Sequence, residues 1–117
     1  ITDVGNVVTM EIGGRMGGDF IGSDLVPLST GYDYLRGVID VAMDKFEIPK
    51  ITQKQCSGVY FLCKETDWTA PYINNKQKYP CIIKATIMDE QLKNVRSSSD
   101  RSGYLIYQSE KRFIING

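Results

Sequence analysis

Apolar residues follow a helical rhythm in one part of the chain and a strand-like rhythm in the others. Leu35, Val38, Ile39, Ala42 and Phe46 recur at helical spacing, which predicts an amphipathic helix from about Gly31 to Lys45. Thr30 with Asp33 three residues on forms an acidic variant of a capping box at its start. Pro49, which drives Ile48 out of the α region, marks its end. Upstream, Ile1 to Val4 and Val7 to Ile12 are apolar runs separated by Gly5-Asn6, the pattern of two antiparallel strands joined by a two-residue turn. A helix this short is marginal alone, so it is expected to pack its apolar stripe on the sheet to which that hairpin belongs. Tyr32 and Tyr34, near the helix start, suit packing at the core edge.

Beyond Ile51–Gln55, a polar linker or edge segment, the character becomes β. Gly58–Cys63, Cys81–Met88, Tyr104–Tyr107 and Arg112–Ile115 are strand candidates. Glu65–Pro80 holds Trp68, Pro71, Asn74, Asn75 and Pro80 and is expected to be a long loop, and Ser97–Asp100 a turn. The expected fold is α+β: a β-hairpin, a glycine-rich loop and a helix, then a small antiparallel β unit of about three to five strands. The division expected is 1–48 for the first part and 49–117 for the β-rich subdomain.

Size and charge narrow the function classes. A chain of 117 residues suits one domain with a core. Fourteen basic and fourteen acidic residues cancel, so no global field draws in nucleic acid or an anionic membrane. No apolar run reaches the eighteen or so residues of a membrane span and no signal peptide is present, so a cytoplasmic location is expected. Cys56, Cys63 and Cys81 lack C-x-x-C spacing and the chain has no histidine to complete a zinc site, which fits reduced, partly buried thiols. Lys64, Trp68, Tyr72, Lys76, Lys78 and Tyr79 intersperse bases with aromatics, but Glu65 and Asp67 interrupt them, and a solvated loop pinned by Trp68 is the reading that fits the neutral chain.

Candidate chemistry concentrates between the first strands and the helix. Glu11 closes an apolar run, and Gly13, Gly14, Gly17, Gly18, Gly22 and Gly31 follow, leaving Arg15 and Asp19 on a path too rich in glycine for a stable helix from Gly13 to Gly22. Such a path either lines a ligand or is a surface loop without chemistry. It lacks the G-K-[ST] ending of a Walker motif. An acid and a guanidinium at a strand end suit a metal held together with an anionic oxygen.

The run Glu11-Ile12-Gly13-Gly14-Arg15-Met16-Gly17-Gly18-Asp19-Phe20-Ile21, followed by Asp24-Leu25-Val26-Pro27-Leu28-Ser29-Thr30-Gly31-Tyr32-Asp33, resembles the last block of ATP-grasp ligases, in the branch of carbamoyl-phosphate-synthase-like proteins and L-amino-acid ligases. Ser99-Asp100-Arg101-Ser102-Gly103-Tyr104 resembles the C-terminal extension of the amino-acid-ligase-like members more faintly. In that family an E-x-N-x-R pattern supplies a magnesium-binding glutamate and an arginine near the phosphates. The resemblance therefore implies Glu11 as the metal ligand and Arg15 as a catalytic and nucleotide-phosphate residue, with Gly13 standing where many members have a metal-binding asparagine. Gly14, Gly17, Gly18 and Asp19 become candidates for the acceptor pocket, Asp19 for a substrate amine.

On this reading residues 1–48 are the C-terminal part of an ATP-grasp domain, the cofactors are ATP and Mg²⁺, and the substrates are a small carboxylate and an amine joined through an acyl phosphate. The nucleotide-binding half of such an enzyme is not in this sequence. The chain is accordingly read as the C-terminal portion of a longer ligase, inactive alone, and self-association through uncovered surfaces is expected. The alternative is a non-catalytic C-terminal module that makes subunit contacts or shapes a substrate entrance. Asp100-Arg101 is either a functional pair facing the ligase site or a surface pair with a turn-stabilising aspartate.

Overall fold

The structure is a computed structural model that describes residues 3–10 and 16–115. Within them lie three α-helices and a three-stranded antiparallel sheet, a small α+β fold. The strands are β1 (Cys56–Leu62), β2 (Ile82–Ile87) and β3 (Gly103–Ser109), in the order β1-β3-β2. Three of the four predicted downstream strands are thus present. The fourth, Arg112–Ile115, joins no ladder. Instead Phe113 packs on the core, Ile115 is buried in it, and Tyr60 Oη donates to the Phe113 carbonyl at 2.8 Å.

β3 is central because it is apolar on both faces. Leu105 and Ile106 are adjacent, so their side chains point to opposite sides, and both are 0% exposed. One face gathers Tyr60, Leu62, Ile82, Leu105 and Tyr107 with Ile73 and Ile115 into the principal cluster. Gly58 pairs with Tyr107 across β1 and β3, and the tyrosine ring covers it so closely that an added Cβ would lie 2.6 Å from Cε1. A register shift between Ile82 and Lys84 in β2 is the one irregularity of that ladder.

That face is covered by the stretch expected to be a long loop. Lys64–Thr69 forms 3₁₀ turns, Ala70–Asn74 the short helix α3 and Lys76–Lys78 another turn. Tertiary anchoring overrides composition here. Pro71 sits in the first turn, where its missing N–H is not needed, Thr66 Oγ1 donates to the Phe61 carbonyl at 2.6 Å, and Trp68 meets Tyr60 edge-on at 5.9 Å. Trp68, Tyr72 and Tyr79, all partly buried, pack against the core, as the reading of a loop pinned by Trp68 has it.

The opposite face carries Ser57, Phe61, Lys84, Tyr104 and Gln108 and is covered by the segment 20–30. This segment was expected to be irregular through Gly22, yet a π-helical turn (Ile21–Leu25) includes that glycine and runs into α1 (Val26–Thr30). Side chains of the sheet and of the stretch leading into β1 satisfy carbonyls of this segment. Ser57 Oγ donates to Leu25 O at 2.7 Å, Gln108 Nε2 to Leu28 O at 2.6 Å and Gln53 Nε2 to Leu28 O at 2.8 Å. Thr30 Oγ1 donates back to Val26 O at 2.7 Å, and Gly31 takes the left-handed conformation (φ 75°) against Thr52, where a Cβ would collide.

The predicted helix after it is shorter than expected. It is α2, Tyr34–Ala42, capped by Asp33, whose carboxylate accepts from Arg36 N at 2.9 Å. Thr30 is not its cap because Gly31 has already broken the chain direction, and Asp44 in the left-handed region (φ 55°) ends it before Lys45. Its apolar stripe does not lie on the sheet. Leu35, Val38, Ile39 and Phe46 are exposed, whereas Gly37 is buried beneath Tyr32 and Tyr34 lies over Gly22.

The hairpin expected from Ile1 to Ile12 is absent over the described residues 3–10. Gly5 turns the chain (φ 83°), but Val7, Val8 and Met10 are exposed and pair with no strand. β-branched residues favour a ladder only where a partner strand and a face to bury are present, and an isolated hairpin is marginal in water.

Leu105 stands at the centre of the core, so Leu105→Ala is expected to cost about 2–5 kcal/mol of unfolding free energy. Equilibrium urea denaturation checks this, and a loss under about 1 kcal/mol would mean that the core is centred elsewhere.

Candidate functional site

The described end of the glycine-rich stretch meets the start of β3. Asp19 and Phe20 both have left-handed backbones (φ 53° and 68°) just ahead of the π-helical turn, whose Ile21 N donates to Gly18 O at 3.0 Å. This turn aims Asp19 at Arg101 and lays Phe20 on the sheet, 4.5 Å from the Tyr104 ring centroid and 6.3 Å from that of Phe61.

Arg101 is fixed from several directions. Before it, Asp100 caps the 3₁₀ turn Ser98–Asp100, accepting from Arg96 N at 2.9 Å and Ser97 N at 2.8 Å, and these backbone donors hold its carboxyl below the usual aspartate range. After it, buried Ser102 donates through its N to Leu62 O at 2.8 Å and through Oγ to Gln91 O at 3.1 Å. The guanidinium lies over the Phe61 ring, its Cζ 3.8 Å from the centroid, and Nη1 donates to Asp19 Oδ1 at 2.5 Å. Asp19, Phe20, Phe61, Met88, Ser98, Arg101 and Tyr104 line a hollow of about 260 Å³.

A second charge pair ties the same segment to β2. Asp24, its side chain 9% exposed, accepts from Lys84 Nζ and from Ser23 Oγ, the latter at 2.6 Å. Burial pushes the Asp24 carboxyl up, but the hydrogen bonds from Lys84 and Ser23 and the ammonium charge outweigh it and hold the group below its ordinary value of 3.8. The hydrogen bond and the charge of Asp24 raise Lys84 in turn.

Of the site residues expected from sequence, Glu11, Gly14 and Arg15, with Gly13, lie outside the described residues. Gly17 and Gly18 are exposed and do not line the hollow, whereas Asp19 does. Asp100 and Arg101 are not a pair with each other. Asp100 serves the turn, and Arg101 reaches Asp19 across the fold. Phe61 and Met88 carried no functional signal in the sequence, since each reads as an ordinary apolar position, and Phe20 and Tyr104 stand in the resembling stretches with no role assigned to them. The Asp24–Lys84 pair was likewise invisible. Among the described residues no acidic or thiol group of three or more converges as a metal centre, and Cys56, Cys63 and Cys81 are free thiols, Cys63 buried.

A carboxyl whose folded-state pKa is depressed adds stability above its unfolded value, and that stability is lost as pH falls through the folded value. The Asp24–Lys84 pair is therefore expected to stabilise the fold at neutral pH and to release that stabilisation as pH drops through and below 3.8. Asp24→Asn should lower neutral-pH stability and flatten this acid limb; equal acid slopes for variant and parent in denaturant titrations would remove the pair from that role.

Compared with models of protein families, with curated proteins and with solved structures, the chain matches none.

Proposed function

We propose that the chain supplies the metal-binding and acceptor end of an ATP- and Mg²⁺-dependent ligase that joins a small carboxylate to an amine through an acyl phosphate. On this reading it is the end of an ATP-grasp module with its C-terminal extension, and it does not turn over by itself. The observation that carries the reading is the Asp19–Arg101 ion pair, which brings together the two separate stretches that resemble the family, Glu11–Asp33 and Ser99–Tyr104. Ion pairing between residues 82 apart is not a property of either stretch alone.

What supports magnesium is the resemblance, which supplies one carboxylate of the kind that ion takes. Glu11 offers a hard carboxylate oxygen, and magnesium is usually held by one or two carboxylates together with substrate phosphates and water. Bound there, the ion would supply charge neutralisation on the triphosphate. Arg15 would face the transferring phosphoryl group and stabilise its negative charge with a planar fork that lysine cannot reproduce. Asp19, half-exposed at the rim of the hollow, would present its carboxylate at the acceptor side to an incoming ammonium once a substrate acid takes its place on Arg101.

The test measures phosphate release with ATP, a carboxylate and an amine from this chain joined in one polypeptide to the nucleotide-binding half that the reading requires. Glu11→Gln keeps size but removes the charge that a hard cation needs, and it is expected to lower turnover about 10²-fold or more with little loss of stability. Turnover within about threefold of the parent at saturating Mg²⁺ would remove Glu11 from the metal site. The 117-residue chain alone is expected to show no saturable micromolar Mg-ATP binding by calorimetry.

A second reading, an interaction module at a subunit contact or substrate entrance, has one observation in its favour: the exposed apolar stripe Leu35, Val38, Ile39 and Phe46 on and beyond α2. It predicts concentration-dependent self-association in sedimentation that Leu35→Lys with Ile39→Lys abolishes. A clean monomer at high concentration counts against it.

A further inference from the structure

We propose that Arg101 is a carboxylate-recognition residue. The hollow beside it takes a small organic acid whose carboxylate replaces Asp19 on the guanidinium and whose aromatic or bulky apolar group lies against Phe20, Met88 and Tyr104. The inference deepens the ligase reading and rests on it for the acid's role as a substrate.

The two partners of the ion pair are built differently. Arg101 is 22% exposed, stacked on Phe61 and held between a capped turn and a buried serine, whereas Asp19 is 50% exposed at the edge of a glycine-rich stretch. An ion pair at such a surface contributes little to stability, so it does not account for a guanidinium positioned this firmly. A guanidinium has five N–H donors in a fork that matches a carboxylate bidentately, and the hydrogen bond to Asp19 uses Nη1. Asp19 thus holds one donor of the fork from the solvent side, where an incoming carboxylate can replace it.

The walls select the rest of the ligand. Phe20, Met88 and Tyr104 present apolar and aromatic surface, Ser98 adds a hydroxyl, and the charged lining residues are Arg101 and Asp19, so a ligand that takes the place of Asp19 on the guanidinium carries one negative charge on an otherwise apolar body. A volume of about 260 Å³ lies just under the range of roughly 300–1,000 Å³ usual for small-molecule sites, so the ligand is small. The larger hollow beside α2, about 570 Å³, has its guanidinium on Arg36, which is 68% exposed and paired with Asp40 along its own helix, so no cation is held there as Arg101 is.

The experiment titrates the 117-residue chain, without nucleotide or Mg²⁺, with 3-phenylpropionate, 3-phenylpropionamide and acetate, read by calorimetry and by amide NMR shifts. Saturable binding of 3-phenylpropionate is expected, at least tenfold tighter than either the amide, which lacks the charge, or acetate, which lacks the ring. Arg101→Gln should abolish it, Arg101→Lys should weaken it severalfold while keeping the charge and the fold, and Asp19→Asn should tighten it by removing the internal competitor. The proposal is overturned if 3-phenylpropionate fails to bind, if the amide binds as tightly as the acid, or if both Arg101 variants stay within threefold of the parent at unchanged thermal midpoints. Because Glu11 and ATP take no part in this measurement, its failure is distinguishable from failure of the ligase reading, which phosphate release decides.

Discussion

Leu105 and Ile106 are consecutive on β3 and both are fully buried, so the middle strand must be covered on its two faces. The rest of the structure follows from that requirement. A single helix cannot cover both sides of a three-stranded sheet. The chain uses the turns and helix of 64–78 with the tail through Ile115 for one face, and the π-helical turn with α1 for the other. The first covering is aromatic and apolar. The second is tied down by Ser57, Gln53 and Gln108 donating to the open carbonyls of a segment too short to satisfy them within itself.

That difference between the two faces places the candidate site. The face packed by Trp68, Tyr72, Tyr79 and Phe113 is covered by rings that contact one another and the strand tyrosines. The other meets a segment that begins in glycine and bends through two left-handed residues, so Phe20 reaches Phe61 and Tyr104 while Asp19 stays at the rim. Charges along this rim are paired across the fold, Asp19 with Arg101 and Asp24 with Lys84, and each pair joins the covering segment to the strand it lies on or the turn beside it. The site and the packing of α1 therefore share one set of contacts. A change that loosens the segment should disturb both.

The exposed stripe of α2 is the counterpart of this economy. Its hydrophobic periodicity is real, yet the sheet face within reach is already occupied by the π-helical turn and α1, and Gly31 with Asp33 turns α2 away. Amphipathic pattern states that a face is to be covered and leaves open by what.

Elements whose signals are local and strong were legible in the order of residues alone. Alternating or continuous apolar runs located β1, β2 and β3, helical spacing located α2 to within a few residues at each end, and clustered serines with Asp100 located the turn before β3. The free thiols follow from cysteine spacing and the lack of histidine. Tertiary structure decided the rest. The strand order, with the last strand in the middle, depends on which strand can be buried on both sides. Residues 64–78 became helical turns because Thr66 is tied to the Phe61 carbonyl, Trp68 packs on the core, and Pro71 falls in a first turn where its missing N–H is not needed. Val7–Met10 formed no strand because a ladder needs a partner, which propensity cannot supply. The same holds for the site: Asp19 and Arg101 were each visible as chemistry-bearing residues, but their pairing over the Phe61 ring joins three distant parts of the chain and exists only when the sheet is closed and covered.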